Sequence, residues 1–185
     1  MTEEGYMNIQ DADPDIIVDL KYATADNFTG RVIYDFTTAI ARIGTAKKLA
    51  KAAKALKEQG YLIKVWDAYR PTEAQEKLFE VVSNPTWVAK PDRNYSHQKG
   101  VTFDLTLTDL DGNEIEMQSG FDDFTGKAVR DYPRTPTQEK NFQTLVKAMT
   151  DAGFVGYENE WWDYRDTNMD DYGPLDANPN DFAHA

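Results

Sequence analysis

Tyr95-Ser96-His97-Gln98-Lys99-Gly100-Val101-Thr102-Phe103-Asp104 is the stretch on which the reading of the whole chain turns. It leaves a polar, glycine-broken loop and enters an apolar run, Val101 to Leu107, with the character of a β-strand. His97 stands at the loop-to-strand junction and is the only histidine outside the last two residues. From there its imidazole and the carboxylate of Asp104 can converge on one point. A ring nitrogen and a carboxylate oxygen make half of a divalent-metal site. The same pair also fits a loop histidine beside a satisfied strand carboxylate, because two-ligand patterns arise cheaply.

A second stretch, Glu158-Asn159-Glu160-Trp161-Trp162-Asp163-Tyr164, follows a helix and a glycine turn. Two tryptophans beside several carboxylates are unusual on a plain surface. Glu160 and Asp163 can point into the cleft of His97, one as base and one as ligand. The alternative is an aromatic core strand with exposed acids.

The intervening chain reads as mixed α and β. Ile16 to Tyr22 is apolar enough for a strand, with Tyr22 a core aromatic or a pocket residue, and Asn27-Phe28-Thr29-Gly30 is a turn. Thr45 to Gln59 places Ala46, Leu49, Ala50, Ala53 and Leu56 on one helical face. Lysines 47, 48, 51, 54 and 57 form its solvated side, and Gly60 stops it. Tyr61 to Tyr69 is a strand that delivers Arg70 just before Pro71, and Thr72 to Val82 is helical. Asn84 to Asn94 is a loop, and Asp111-Gly112 is a hairpin turn. Thr137 caps a last helix ending at Gly153, and Phe154 opens a final strand carrying Glu160 to Tyr164. The tail from Asp170, which includes His184, loops over the surface.

Composition narrows the partners. A length of 185 residues suits one domain, 1–185, with a real core. A formal net charge of −12 disfavours nucleic acid and anionic membrane, both of which need a basic footprint. There is no cysteine, which excludes disulfides, thiolate metal sites and cysteine nucleophiles. Met1-Thr2-Glu3-Glu4-Gly5-Tyr6 has no basic or apolar segment of a signal peptide, and no run reaches a membrane span, so a soluble, cytoplasmic protein is expected.

Together with Trp66-Asp67-Ala68-Tyr69-Arg70-Pro71, Asp19 to Gly30 and Ser119-Gly120-Phe121-Asp122, these stretches resemble the D-alanyl-D-alanine dipeptidases, the VanX-type zinc peptidases of family M15. The likeness runs in order from about residue 8 to about residue 165. It implies an α+β fold of the hedgehog/DD-peptidase type, a mostly antiparallel central sheet flanked by helices. It implies one zinc per chain held by His97, Asp104 and Asp163, with manganese or another divalent metal as the alternative. Glu160 would be the catalytic base and Arg70 the oxyanion partner. Asp122, Tyr22 and Tyr95 would form the pocket for the amino end of a small dipeptide, in wall-peptide metabolism or vancomycin-type resistance.

The chain departs from the signature at three points. Asp163 stands where the family has its third histidine ligand, Tyr95 where it has serine, and Thr102 where it has alanine. A His-Asp-Asp set is harder and more anionic than one with two histidines. It is expected to bind zinc less tightly and to shift preference toward manganese. Two other readings are a non-catalytic relative that keeps the fold, and a carboxypeptidase acting on longer wall peptides.

Overall fold

The computed structural model describes residues 5–85 and 88–184. Its strands are β1 (Tyr6–Asn8), β2 (Ile17–Val18), β3 (Ile40–Arg42), β4 (Leu62–Asp67), β5 (Thr102–Thr108), β6 (Phe154–Gly156) and β7 (Asp163–Asp166). The helices are α1 (Ile9–Ala12), α2 (Ile43–Glu58), α3 (Thr72–Val81), α4 (Ser96–Lys99) and α5 (Pro136–Ala152). The main sheet has the order β2-β4-β5-β7-β6 and is antiparallel except for the β2–β4 pair, while β1 and β3 form a separate ribbon. This is the expected α+β architecture.

Strand β5 explains the layering. All of its residues are buried, and a strand's side chains alternate between faces. Phe103, Leu105 and Leu107 enter the apolar core with Leu49 and Leu56 of α2 and Leu145 and Met149 of α5. Thr102, Asp104 and Thr106 therefore face the other way, and that face carries the polar cleft. Asp104 lies opposite Asp67 of β4 on one side and opposite Asp163 of β7 on the other. The register thus lines up carboxylates across neighbouring strands. A bulge between Val65 and Asp67 sets this alignment.

Several local expectations need correction. Ile16 to Tyr22 is strand only at Ile17–Val18, and Tyr22 lies in a 3-10 turn, Lys21–Ala23. The backbone turns there because Ile33 and Tyr34 both donate their N–H groups to the Tyr22 carbonyl, each at 2.8 Å. Helix α5 is capped by Thr135, not Thr137. Its hydroxyl accepts from the Gln138 N–H, the Gln138 side chain accepts from the Thr135 N–H, and Pro136 presets the first turn. The final strand is two strands. The segment between them bends back around Arg130, which donates to the carbonyls of Tyr157, Trp161 and Asp163 at 2.8, 3.2 and 2.9 Å. The Asp111-Gly112 turn forms, but its return arm pairs only through a Thr108–Glu114 bridge. Part of the Asn84–Asn94 loop, at Thr86 and Trp87, lies outside the described residues, as do residues 1–4 of the N-terminal reading.

The tail also does more than cross the surface. Lys99 donates to the carbonyls of Met169 and Tyr172 at 2.7 and 3.1 Å. Arg42 donates to the Gly173 carbonyl, the Tyr6 hydroxyl to that of Leu175 at 2.7 Å, and Asn8 to that of Phe182 at 3.1 Å. Tyr172 is buried. His184 pairs with Asp11 at 2.6 Å, away from the cleft. Among the described residues no helix is long and apolar enough to cross a membrane.

Candidate metal and substrate site

His97 is carried by α4, a single turn where the sequence suggested a loop. Gly100 ends this turn in the left-handed conformation, φ 74°. A Cβ there would come within 2.3 Å of the Tyr6 ring, so only glycine fits the junction between the turn and β5. The His97 ring is buried, and Nδ1 lies 3.0 Å from the Ala68 carbonyl. A carbonyl can only accept, so Nδ1 carries the proton and Nε2 presents its lone pair. Burial, and then the Arg70 charge, lower the His97 pKa and favour this neutral form.

Nε2 lies 3.3 Å from Oδ1 of Asp104 and 3.8 Å from Oδ2 of Asp163. Ligand atoms at about 2.1 Å from one tetrahedral ion stand about 3.4 Å apart, so this spacing suits a shared cation. Oδ1 of Asp104 is buried and has no hydrogen-bond donor. Desolvation, and then Asp163 and Asp67, push the Asp104 carboxyl well above its usual range. An orphaned carboxylate oxygen, a lone pair aimed at it and surplus negative charge together fit a divalent ion with nitrogen and oxygen ligands.

Asp67 was not singled out from sequence, yet among the described residues it groups with His97 and Asp104, with one potential ligand atom of each inside 4.8 Å of the others. Its oxygens are already engaged. Oδ1 accepts from the Tyr34 hydroxyl at 2.6 Å and from the Ala68 N–H at 3.0 Å. Oδ2 accepts from Nε and Nη2 of Arg70 at 2.9 and 2.5 Å. It also approaches His97 on the protonated Nδ1 side, at 4.0 Å. Asp67 is therefore a clamp for Arg70, and Asp163 is the carboxylate on the open side of the ring. The Asp-x-x-Arg spacing of residues 67–70 was the available signal.

Arg70 is locked further by Gln75, whose Oε1 accepts from Nη1 at 2.7 Å. It lies over the Tyr22 ring, 5.3 Å from its centroid, and its Nη2 is 3.6 Å from Asp104. Desolvation opposes its charge, but Asp67 and the neighbouring phenols and carboxylate outweigh that and raise its pKa. Tyr22 also donates to Asp122 and packs against Phe28 and Phe121. Asp122 is the one described non-glycine residue with positive φ, 53°, a conformation that aspartate tolerates better than most. Desolvation raises its pKa to about 6, against the Tyr22 hydrogen bond and the Arg70 charge.

Glu160 is half-buried on the wall of the same cavity, which Tyr22, Arg70, Tyr95, His97, Asp104 and Asp122 also line. Desolvation, and then Asp163 and Asp104, raise its pKa well above the usual range. Trp161 and Trp162 are buried in the core, so the aromatics of this stretch are structural; of its acids, Glu160 lines the cavity, Asp163 is buried beside His97 and Glu158 is exposed. Tyr95 stands on the Asp163 side, where its hydroxyl accepts from Arg165 at 3.2 Å. Arg165, another residue the sequence reading passed over, also reaches Asp163 at 3.3 Å.

Comparison with known proteins places the chain in a family. Residues 2–182 match the family model described as peptidase M15, D-Ala-D-Ala dipeptidase. A D-alanyl-D-alanine dipeptidase of Escherichia coli K12 is 35% identical over 82% of this chain and 79% of its own length. One from Enterococcus faecalis is 29% identical over 88% and 92%, and one from Enterococcus faecium 30% identical over 79% and 83%.

Proposed function

This chain belongs to the D-Ala-D-Ala dipeptidase family of peptidase M15, and from that premise we propose that it hydrolyses a D-Ala-D-Ala-type dipeptide to free D-amino acids, using one zinc ion held by His97, Asp104 and Asp163. The observation that carries the reading is the lone pair of His97 Nε2 aimed at the unpartnered Oδ1 of Asp104, with Asp163 Oδ2 beside it. When bound there, a divalent ion supplies Lewis acidity and a water of lowered pKa.

The remaining work falls to side chains. Glu160 takes the proton of the attacking water and returns it to the leaving amine, and its raised pKa suits a group that must do both. Arg70 spends three of its five N–H donors on Asp67 and Gln75, which fixes the guanidinium and leaves donors for the oxyanion of the tetrahedral intermediate. Asp122 receives the substrate ammonium, with Tyr22 holding its carboxylate in place. A setting in the cytoplasm suits a chain without cysteine.

The test is elemental analysis of protein purified without chelator and dialysed against trace zinc, followed by hydrolysis of D-Ala-D-Ala and of its N-acetylated form. One zinc per chain, lost in Asp163→Ala, with cleavage that requires the free amine, is the expected result. Cleavage of the blocked dipeptide or of longer peptides would favour the carboxypeptidase reading. Metal-free, inactive protein would overturn the proposal.

A further inference from the structure

Three aspartates lie side by side across β4, β5 and β7, with Asp104 between Asp67 and Asp163. Like charges directly opposite one another in a sheet are destabilising, so each needs a partner. Asp67 has Arg70. Asp163 has Arg165, two residues on along β7 and therefore on the same face of the strand. Oδ1 of Asp163 is 3.3 Å from Nε of Arg165, and Oδ2 is the oxygen directed at His97 Nε2. The arginine is itself held. Its Nη2 donates to the Tyr95 hydroxyl, its Cζ lies 5.5 Å from the Tyr95 ring centroid and 4.3 Å from that of Tyr157, and its side chain is only 18% exposed.

We propose that Arg165 is a positioning residue for the metal. It engages one oxygen of Asp163, so that the other alone is presented to the ion, and it offsets the charge of a second carboxylate ligand. Tyr95 in turn fixes the guanidinium. The inference rests on Asp163 being a ligand, as proposed above. A carboxylate ligand oriented by an outer hydrogen bond follows the general rule for metal sites, where loss of such a partner typically costs about 10–100-fold in affinity. A cation acting only through space would do the reverse, because removing it would strengthen binding of another cation.

Zinc affinity, measured by competition with a chromophoric chelator, separates the two. Arg165→Met should weaken binding by about tenfold or more, and Arg165→Lys by less. In an Asp163→His background, where the ligand is a neutral imidazole, Arg165→Met should change affinity by less than about twofold, a coupling that a purely structural role would not produce. Thermal unfolding of the metal-free proteins checks that each variant folds. If Arg165→Met does not fold, Arg165→Lys carries the test alone, and unchanged affinity there overturns the proposal. Unchanged or tighter binding in Arg165→Met, with binding lost in Asp163→Ala, overturns the inference and leaves the ligand assignment standing. Unchanged binding in Asp163→Ala overturns both.

Discussion

Asp163 and Asp166 begin and end the same four-residue strand, and both are buried, at 1% and 0% exposure. Three positions apart on a strand, they point to opposite faces. Asp166 turns to α2 and is saturated. It accepts from Thr45 at 2.6 Å, from Lys48 at 2.5 Å and from the Asn168 N–H at 2.8 Å. Asp163 turns to the cleft, where its one side-chain hydrogen bond among those described is the 3.3 Å contact with Arg165. Burial is the same in the two cases and satisfaction is not. A closed buried carboxylate supports the fold, whereas an open one is held ready for something that binds.

The sharpest way to break this comparison is to truncate each residue in turn. Asp163→Ala should reduce zinc affinity by more than about 100-fold, while the metal-free chain loses less stability than Asp166→Ala, because relief of the repulsion with Asp104 offsets the loss of the Arg165 pair. Asp166→Ala should do the opposite, leaving zinc affinity intact but costing about 3 kcal/mol in denaturant unfolding. That is the low end for a broken buried pair, because Lys48 keeps some access to water, its side chain being 26% exposed. Equal stability losses in the two variants would show that the distinction is empty.

Zinc itself sharpens the contrast. At 100 times its dissociation constant it should stabilise the native chain by about 2.7 kcal/mol, read as a rise in Tm. The increment should persist in Asp166→Ala and vanish in Asp163→Ala.

Asp122 is the intermediate case, a buried-cavity carboxylate with Tyr22 as its described donor. With its pKa raised to about 6, it gains a proton as pH falls through that value and loses the charge that pairs with an ammonium group. In this reading kcat/KM should fall toward tenfold per pH unit below about pH 6. Asp122→Asn should lower kcat/KM at neutral pH and flatten that limb. A limb that survives the substitution would assign it to another group.

The fold was legible where side-chain periodicity is strong. Helix α2, strand β4 and strand β5 run close to where alternation and helical spacing place them. It was less legible where one long-range contact bends the backbone. Arg130 folds residues 157–162 into a turn between two strands, and nothing local in Glu158 to Tyr164 announces an arginine nearly thirty positions upstream. The cleft shows the same division. His97, Asp104, Glu160, Arg70, Asp122 and Tyr22 converge on one cavity, and each carries a motif that singles it out. Asp67 and Arg165 act through other residues, so their importance depends on the strand register, which the sequence does not display. The Asp-x-Arg spacing of residues 163–165 was nonetheless a usable signal once the segment is taken as strand.

The strap of residues 169–175 has a consequence for how this protein can be inactivated. Lys99 and His97 share one helical turn, and Lys99, with Arg42, is buried against strap carbonyls. A protease cutting the strap would loosen the carbonyls that Lys99 donates to, and a buried ammonium that loses its acceptors is costly enough to move the backbone that carries it, while Arg42 keeps its bond to the Lys99 carbonyl. Cleavage there would reach the histidine through its neighbour and disarm the cleft, although every residue of the cleft remained intact.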